Sequence, residues 1–424
     1  MIWFAVSFAL FLVLGVPISI SIGAGATIAL LSGGFPLHVI GQRMVGGLDS
    51  FLLVAVPLFV LAGNLMNAGK ITDRIFNFAR ESVGWIPGGL GHANVLASVI
   101  FAGKTGAAAA DAAGLGTIQM KAMTENGYDR EFSGAVSASS SIIGAIIPPS
   151  IPMIIYSSIA GVSVIRLFMG GIFPGLLMAL ALMVLVFILA IKRKYPRHRF
   201  SLIAMIKEFF SSIFSLIAPV IILGGLFFGW YTPTEAASIV VAYAIFIAIV
   251  VYRTMSWKDF KKALLESAQV SANSMMIVGS SSLFAFVLIM EGASDPITNF
   301  FLGVTTNPLV MLLIINIMIL IMGMFIEPGA LLTLMVPILV PIAQALGLDM
   351  VHFGVILVIN LMIGQVSPPF GVCLFIISDV GKLKLDKLIR AVIPFLIPLV
   401  ITLFLCTYIP QIVLWLPNLL FGVQ

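Results

Sequence analysis

Charge is scarce in this chain. Asp, Glu, Lys and Arg make up only 9% of its 424 residues, against about 25% in soluble domains. Cysteine is scarcer still. Cys373 and Cys406 are too few for a disulfide framework and match no metal-ligand spacing. Four histidines without a His/Cys cluster argue against a transition-metal centre. No HExxH, Gly-x-Ser-x-Gly or paired Asp-rich motif occurs, and a membrane-embedded enzyme would be expected to show one. Alternating polar and apolar stretches are missing, which excludes a strand-built barrel. The opening residues, MIWFAVSFALFLVLGVPIS, lack a basic flank and a small-residue cleavage site, so they read as a retained helix.

What the chain has is apolar length. It is 61% hydrophobic, with a mean hydropathy of +1.18, and many apolar runs approach the roughly 20 residues a spanning helix needs. The expected class is an all-α polytopic membrane protein. The net charge of +5 matters through its placement. KRKYPRHRF (192–200) and YRTMSWKDFKK (252–262) lie beside apolar runs and mark cytoplasmic loops rather than a nucleic-acid surface.

The sequence matches itself at an offset of 220. Gly103 meets Gly323, Gly127 meets Gly347, Asp129 meets Asp349 and Gly134 meets Gly354. Gly144 then meets Gly364, Pro148 and Pro149 meet Pro368 and Pro369, Ser158 meets Ser378, Gly161 meets Gly381 and Pro174 meets Pro394, without a gap. A period this long means a duplicated domain. Lys70, Arg74 and Arg80 face only Glu291 and Asp295 in the other copy, while the basic segment 382–390 faces 162–170 with one Arg. Basic loops opposite non-basic ones indicate an inverted-topology repeat.

The expected first repeat is 1–191, with helices near 2–16, 17–33, 50–69 and 172–191 and the amino terminus outside. A basic cytoplasmic linker, 192–207, leads to the second repeat, 208–424, with helices near 208–230, 235–252, 267–290 and 391–409. Residues 254–266 read as an amphipathic surface helix anchored by Trp257, with 35–49 as its outer counterpart. Segments 92–124 and 308–345 are expected to be re-entrant hairpins, turning at GKTGAAAADAAGLG and GMFIEPG. Asn64 and Asp73 read as surface or capping groups.

Each hairpin is followed by a broken helix, 131–160 or 352–380, interrupted by IIPPSIP or VSPPFG. Proline removes a donor and obstructs the carbonyl one turn earlier, so two in succession unwind a helix. Freed carbonyls in hydrocarbon cost several kcal/mol each. Coordination of a hard cation such as Na⁺ would satisfy them, with helix ends favouring cation and anionic solute. Ser139, Ser140, Ser141 and Ser150 surround the first break, and Asn360, Gln365 and Ser367 the second. Each of these alone could equally be helix–helix glue.

SASSSIIGAIIPPSIPMIIYSSIAGVS and LMIGQVSPPFGVCLFIISDV, with FAGKTGAAAADAAGLGTIQMKAM, GMFIEPGALLTLMVPILVP and SFLLVAVPLFVLAGNLM, resemble the large membrane (M) subunit of TRAP transporters. These are the tripartite ATP-independent periplasmic transporters, and the resemblance covers essentially the whole chain. It implies a Na⁺-coupled importer of an organic acid in a bacterial inner membrane. It also implies a separate small membrane subunit of about four helices, a periplasmic substrate-binding protein, and an elevator mechanism. Na⁺ is the implied coupling ion and no other cofactor is implied.

Carried over, the first cation site joins Gly103, Thr105 and Gly106 to Ser141, Gly144 and Ile147. The second joins Gly323 and Glu327 to Gly364, Val366 and Ser367. The solute site lies between the tips, near Lys104, Asp111, Pro148, Pro149, Ser150, Gln365, Pro368 and Pro369. Lys104 departs from the family pattern, which has a small or apolar residue there. Three roles are open to it: pairing with Asp111, contact with the anionic solute, or standing in for a cation. Snorkelling to water is the bland option. Asp111 and Glu327 each read as cation ligand, proton carrier or salt-bridge member. The rival function is a Na⁺/dicarboxylate or citrate-type carrier of the related inverted-repeat class, working without a binding protein. A non-transporting scaffold would gain nothing from two midplane breaks.

Overall fold

The computed structural model describes residues 2–106 and 108–422, with the side chains of all of these except 103–105 and 294. Among the described residues there are twenty α-helices and no strand. The first five are α1 (Ile2–Val13), α2 (Ile18–Ser32), α3 (Leu37–Leu48), α4 (Ala55–Ala68) and α5 (Ile71–Val83). Then come α6 (Gly89–Thr105), α7 (Ala108–Glu125), α8 (Arg130–Ser141), α9 (Ile151–Ala160) and α10 (Val164–Arg193). The second half holds α11 (Leu202–Phe227), α12 (Pro233–Phe246), α13 (Trp257–Met290), α14 (Ser294–Val304) and α15 (Pro308–Gly323). It closes with α16 (Pro328–Ala345), α17 (Met350–Gly364), α18 (Val372–Gly381), α19 (Leu385–Tyr408) and α20 (Gln411–Phe421). Among the described residues seven helices, or eight if the bent pair α14–α15 is one span, are long and apolar enough to cross a membrane. The chain is an all-α polytopic membrane protein.

The repeat is visible element by element. α7 and α16 start at Ala108 and Pro328, α8 and α17 at Arg130 and Met350, each 220 residues apart. Beyond the breaks, α9 and α18 start at Ile151 and Val372, and α10 and α19 at Val164 and Leu385, now 221 apart. The helices after the second break thus begin one residue later, although the sequence match itself keeps its offset of 220 at Gly161 and Gly381. Gly127 and Gly347 take φ of +84° and +66°. They let Tyr128 N reach Met123 O and Leu348 N reach Ala343 O, which closes α7 and α16 in the same way.

Several expected boundaries differ. Residues 254–266 are not a separate surface helix; from Trp257 on they open the 34-residue α13. Its start is fixed by a capping box between Ser256 and Asp259, and the run from Trp257 to Met290 has no proline and only Gly279 to weaken it. α3 is separate because Pro36 precedes it and Asp49–Ser50 follow. Segments 70–80 and 291–299, read as loops, lie largely in α5 and α14. In α5 the spacing of Ile71, Ile75, Phe76 and Ala79 buries one face, as an amphipathic helix requires. α10 starts at Val164, before the expected 172, because Ser163 accepts from Arg166 N at 3.4 Å. α20 is an addition to the expected set of helices. Asn64 is not a surface group: its amide donates to Ser267 Oγ at 2.9 Å and ties α4 to α13.

Polar side chains are held inside an otherwise apolar core, and apolar ones face outward. Ser137, Ser139, Ser140 and Ser141 of α8 are all buried, while Leu180, Ile188, Val220 and Phe228 face outward. The two broken helices interlock: α8 packs on α18 and α19, and α17 on α9 and α10. Gly354 gives room for the ring of Tyr156, whose hydroxyl donates to Met350 O at 2.9 Å.

Between α10 and α11, Tyr195 locks the linker to the start of α8. Its hydroxyl donates to Asp129 Oδ2 at 2.5 Å, Arg193 Nη1 donates to the same oxygen at 2.9 Å, and its ring stacks on Tyr128. Burial, then the Asp129 carboxylate, push the Tyr195 phenol up to about 12. The folded value exceeds the unfolded one, so the stabilisation is complete below about pH 10 and is lost as pH rises through about 12. Thermal unfolding followed across that window should show an alkaline fall that is smaller in Tyr195→Phe.

Candidate functional site

Each hairpin tip meets its own break. α6 ends at Thr105, and Gly106 turns the chain with φ +60°. A Cβ on Gly106 would lie 2.7 Å from Pro149 O, and its carbonyl accepts from Ile151 N at 3.3 Å. In the second repeat, Gly364 faces Gly323 so closely that a Cβ on Gly364 would meet the Gly323 carbonyl at 2.7 Å. Glu327 caps α16 by accepting from Ala330 N at 3.1 Å, a favourable place for a carboxylate at a helix N-terminus.

The breaks themselves are compact. A 3-10 turn, Ile142–Ala145, follows α8. Both Pro–Pro bonds, 148–149 and 368–369, are cis. The chain satisfies part of its own freed backbone. Ser150 Oγ donates to Ala145 O at 2.5 Å and accepts from Met153 N. Cys373 N donates to Gln365 O at 3.0 Å, and Gly371 N to Ser367 O at 3.1 Å. Ser141 Oγ donates to Ala138 O and Ser367 Oγ to Ile363 O, each at 2.8 Å. A hydroxyl whose proton is used in this way turns lone pairs outward, which suits a hard cation.

Tips and breaks border a cavity of about 290 Å³. The first tip contributes Gly106 and Ala108–Ala110, and the first break Ala145, Ile151, Pro152 and Ile155. The second tip contributes Glu327, Pro328 and Gly329, and the second break Met362, Gln365 and Val372. α13 closes it with Val270, Ser274 and Ile277. The walls are largely apolar with a few convergent polar groups, the usual make-up of a small-molecule site. Among the described residues Gln365 Nε2 is buried without a hydrogen-bond partner, an amide donor ready for a solute oxygen.

Of the residues singled out from sequence, Gly106, Glu327 and Gln365 line this cavity. Asp111 does not; it is buried behind the wall of Ala108–Ala110, against Gly144. Ser150 is used as a helix cap, and Pro148, Pro149, Pro368 and Pro369 shape the breaks without lining the space. Ile147 packs on Gly175, and Val366 is fully buried. Gly103 ends α6 with Lys104 and Thr105; their side chains, and so the Lys104 readings, lie outside the described residues.

Sequence reasoning missed the α13 wall, because Val270, Ser274 and Ile277 read only as part of a span. It also missed a clamp in each repeat. Asn94 bonds to Ser137 and Ser140 at 2.7 Å each, and Asn360 Nδ2 donates to Asn316 Oδ1 at 2.9 Å. Ser140 and Asn360 occupy equivalent positions, so the first arm of each hairpin is pinned to its broken helix. Asn94 and Asn316, lone amides in apolar runs, were the available signal.

Residues 5–412 match the family model of the tripartite ATP-independent periplasmic transporter, DctM component. The chain belongs to this family of TRAP transporter subunits. It is 43% identical over 410 residues to the sialic acid TRAP transporter large permease protein SiaM of Vibrio cholerae, covering 96% of each chain. It is 38% identical over 396 residues to the C4-dicarboxylate TRAP transporter large permease protein DctM of Pseudomonas aeruginosa, covering 93% of each. Identity is also 38% over 409 residues to the isethionate TRAP transporter permease protein DctMQ of Oleidesulfovibrio alaskensis, covering 96% of this chain and 64% of the longer relative. The fold is similar to that of the YdaH transporter of Alcanivorax borkumensis, with a TM-score of 0.63 at 12% identity over 88% of each chain. This TRAP large subunit is a transporter component, not an enzyme.

Proposed function

We propose that this chain is the permease of a Na⁺-coupled TRAP transporter that imports an organic acid anion across a bacterial inner membrane. The observation that carries this reading is the cavity of about 290 Å³ where both tips, both breaks and α13 meet. Gln365 Nε2 offers an unpaired donor there for an anion's oxygen, while the Glu327 carboxylate is engaged by Ala330 N. The relatives' names, which cite sialic acid, a C4-dicarboxylate and isethionate, all point to organic anions.

In this reading the repeats are inverted, the amino terminus is periplasmic, and the basic 192–207 linker is cytoplasmic. Na⁺ occupies the two tip–break junctions, Gly103–Gly106 with Ser141–Ile147 and Gly323–Glu327 with Gly364–Ser367. Ion binding there holds each tip on its break and completes the cavity. The hairpins and broken helices then move together as an elevator against a scaffold that includes α13. A periplasmic binding protein delivers the solute, and a small membrane subunit braces the scaffold.

The test is reconstitution of the chain with its small subunit in liposomes. Uptake of labelled sialic acid, succinate and isethionate is followed with and without the binding protein and an inward Na⁺ gradient. One of the three should accumulate only when both are supplied. Accumulation without the binding protein would favour the simpler carrier, and accumulation without Na⁺ would remove the coupling. Lys104→Met in the same assay should weaken solute dependence and leave Na⁺ dependence intact if Lys104 contacts the anion.

A further inference from the structure

A second cavity, of about 210 Å³, lies between the same helices that wall the central one. α9, α13 and α16 contribute Ile155, Ile277 and Gly329 to the first space. They contribute Ser158, Ser281 and Thr333, about one turn further along each helix, to the second. All three helices therefore advance in the same direction from one space to the next. That direction is toward the carboxyl end of α13, away from the basic segment 252–262 at its start. α3 closes the outer side through Gly47, where a Cβ would collide with Ser282 at 2.2 Å.

The lining of this second space is uncharged, and its polar groups are the hydroxyls of Ser158, Ser281, Ser282 and Thr333 among apolar residues. Ser158 Oγ and Thr333 Oγ1 spend their protons on the carbonyls of Ile155 and Ala330, at 2.8 and 2.9 Å. They turn lone pairs to the space and act as acceptors. Ser281 is the exception. It is 3% exposed, and among the described residues its Oγ has no hydrogen-bond partner. A buried, unpaired hydroxyl is costly unless something completes it. Ser282 Oγ, like Ser158 and Thr333, has its proton engaged, donating to Arg43 O at 3.1 Å. One free donor among three hydroxyls that can only accept, in a lining without charge, matches the hydroxyl groups of a polar solute rather than a carboxylate.

We infer that the Ser158–Ser281–Thr333 space is a second binding station on the solute's route. It holds a hydroxyl-bearing part of the organic acid one helical turn before the central cavity. The inference rests on the transport reading above. It adds a site on the periplasmic side of that cavity.

The test uses the full transporter in intact cells with the membrane-impermeant anionic reagent 2-sulfonatoethyl methanethiosulfonate added outside. The native thiols, Cys373 and Cys406, are both buried and set the background. Ser281→Cys and, across the space, Ser158→Cys should react at least about tenfold faster than that background, because thiol reactivity follows access. Labelling should also stop uptake of the transported acid. If Ser274→Cys in the central cavity reacts while both outer variants do not, the second station is refuted and the central site stands. If none of the three reacts, the transport reading fails with it. Labelling at 281 that leaves uptake unchanged would also overturn the station, because a filled step on the route cannot be silent. Ser158→Cys keeps the test valid if Ser281→Cys folds poorly.

Discussion

Gly364→Ala is expected to abolish uptake and lower thermal stability, whereas Gly323→Ala is expected to be nearly silent. The two glycines touch, but the contact is one-sided. A Cβ on Gly364 would lie 2.7 Å from both the carbonyl carbon and oxygen of Gly323 and 2.9 Å from its Cα. These are main-chain atoms and cannot rotate away. A Cβ on Gly323 would meet Gly364 Cα at 3.6 Å, an ordinary contact. Overpacking of this kind costs about 1–3 kcal/mol, and here it displaces the second hairpin tip from its break. If that junction holds the coupling ion, Na⁺ dependence should fall with uptake. Proteoliposome uptake and thermal unfolding of both variants check this; equal activity in the two would refute the arrangement of tip and break.

Ser274→Trp should also stop uptake, this time without loss of stability. Ser274 lines the cavity of about 290 Å³ from α13. An indole there fills empty space rather than a packed wall, so the fold has room for it. Val220→Trp is the control, because Val220 is 66% exposed on the outer surface of α11. The control should transport normally, and both proteins should elute and melt like the parent. Normal uptake by Ser274→Trp would show that solute bypasses this cavity.

The hairpins, the breaks and the repeat were legible because glycine and proline carry their meaning locally. Gly127 and Gly347 sit where a helix must end in a left-handed turn, and the paired prolines sit where it cannot continue. The walls of the site were not legible, because Val270, Ser274 and Ile277 differ from any span residue only by what faces them. The fate of Asp111 was equally hidden: its place behind the alanine wall follows from Gly144, which is distant in sequence. α5 and α14 read as loops when charge is weighed before period. Ile71, Ile75, Phe76 and Ala79 carried the helical spacing.

α13 is one unbroken rod, and three of its six serines are evenly pitched. Ser267, Ser274 and Ser281 recur at seven-residue intervals, about 10 Å apart along the axis. Ser267 holds α4 through Asn64, Ser274 borders the central space and Ser281 the outer one. Seven residues fall just short of two full turns, so all three rise along nearly the same line. A cargo platform gliding by that interval would trade one rung of this ladder for the next at almost the same bearing. If the proposed elevator movement operates, the ladder's spacing offers it a natural stride.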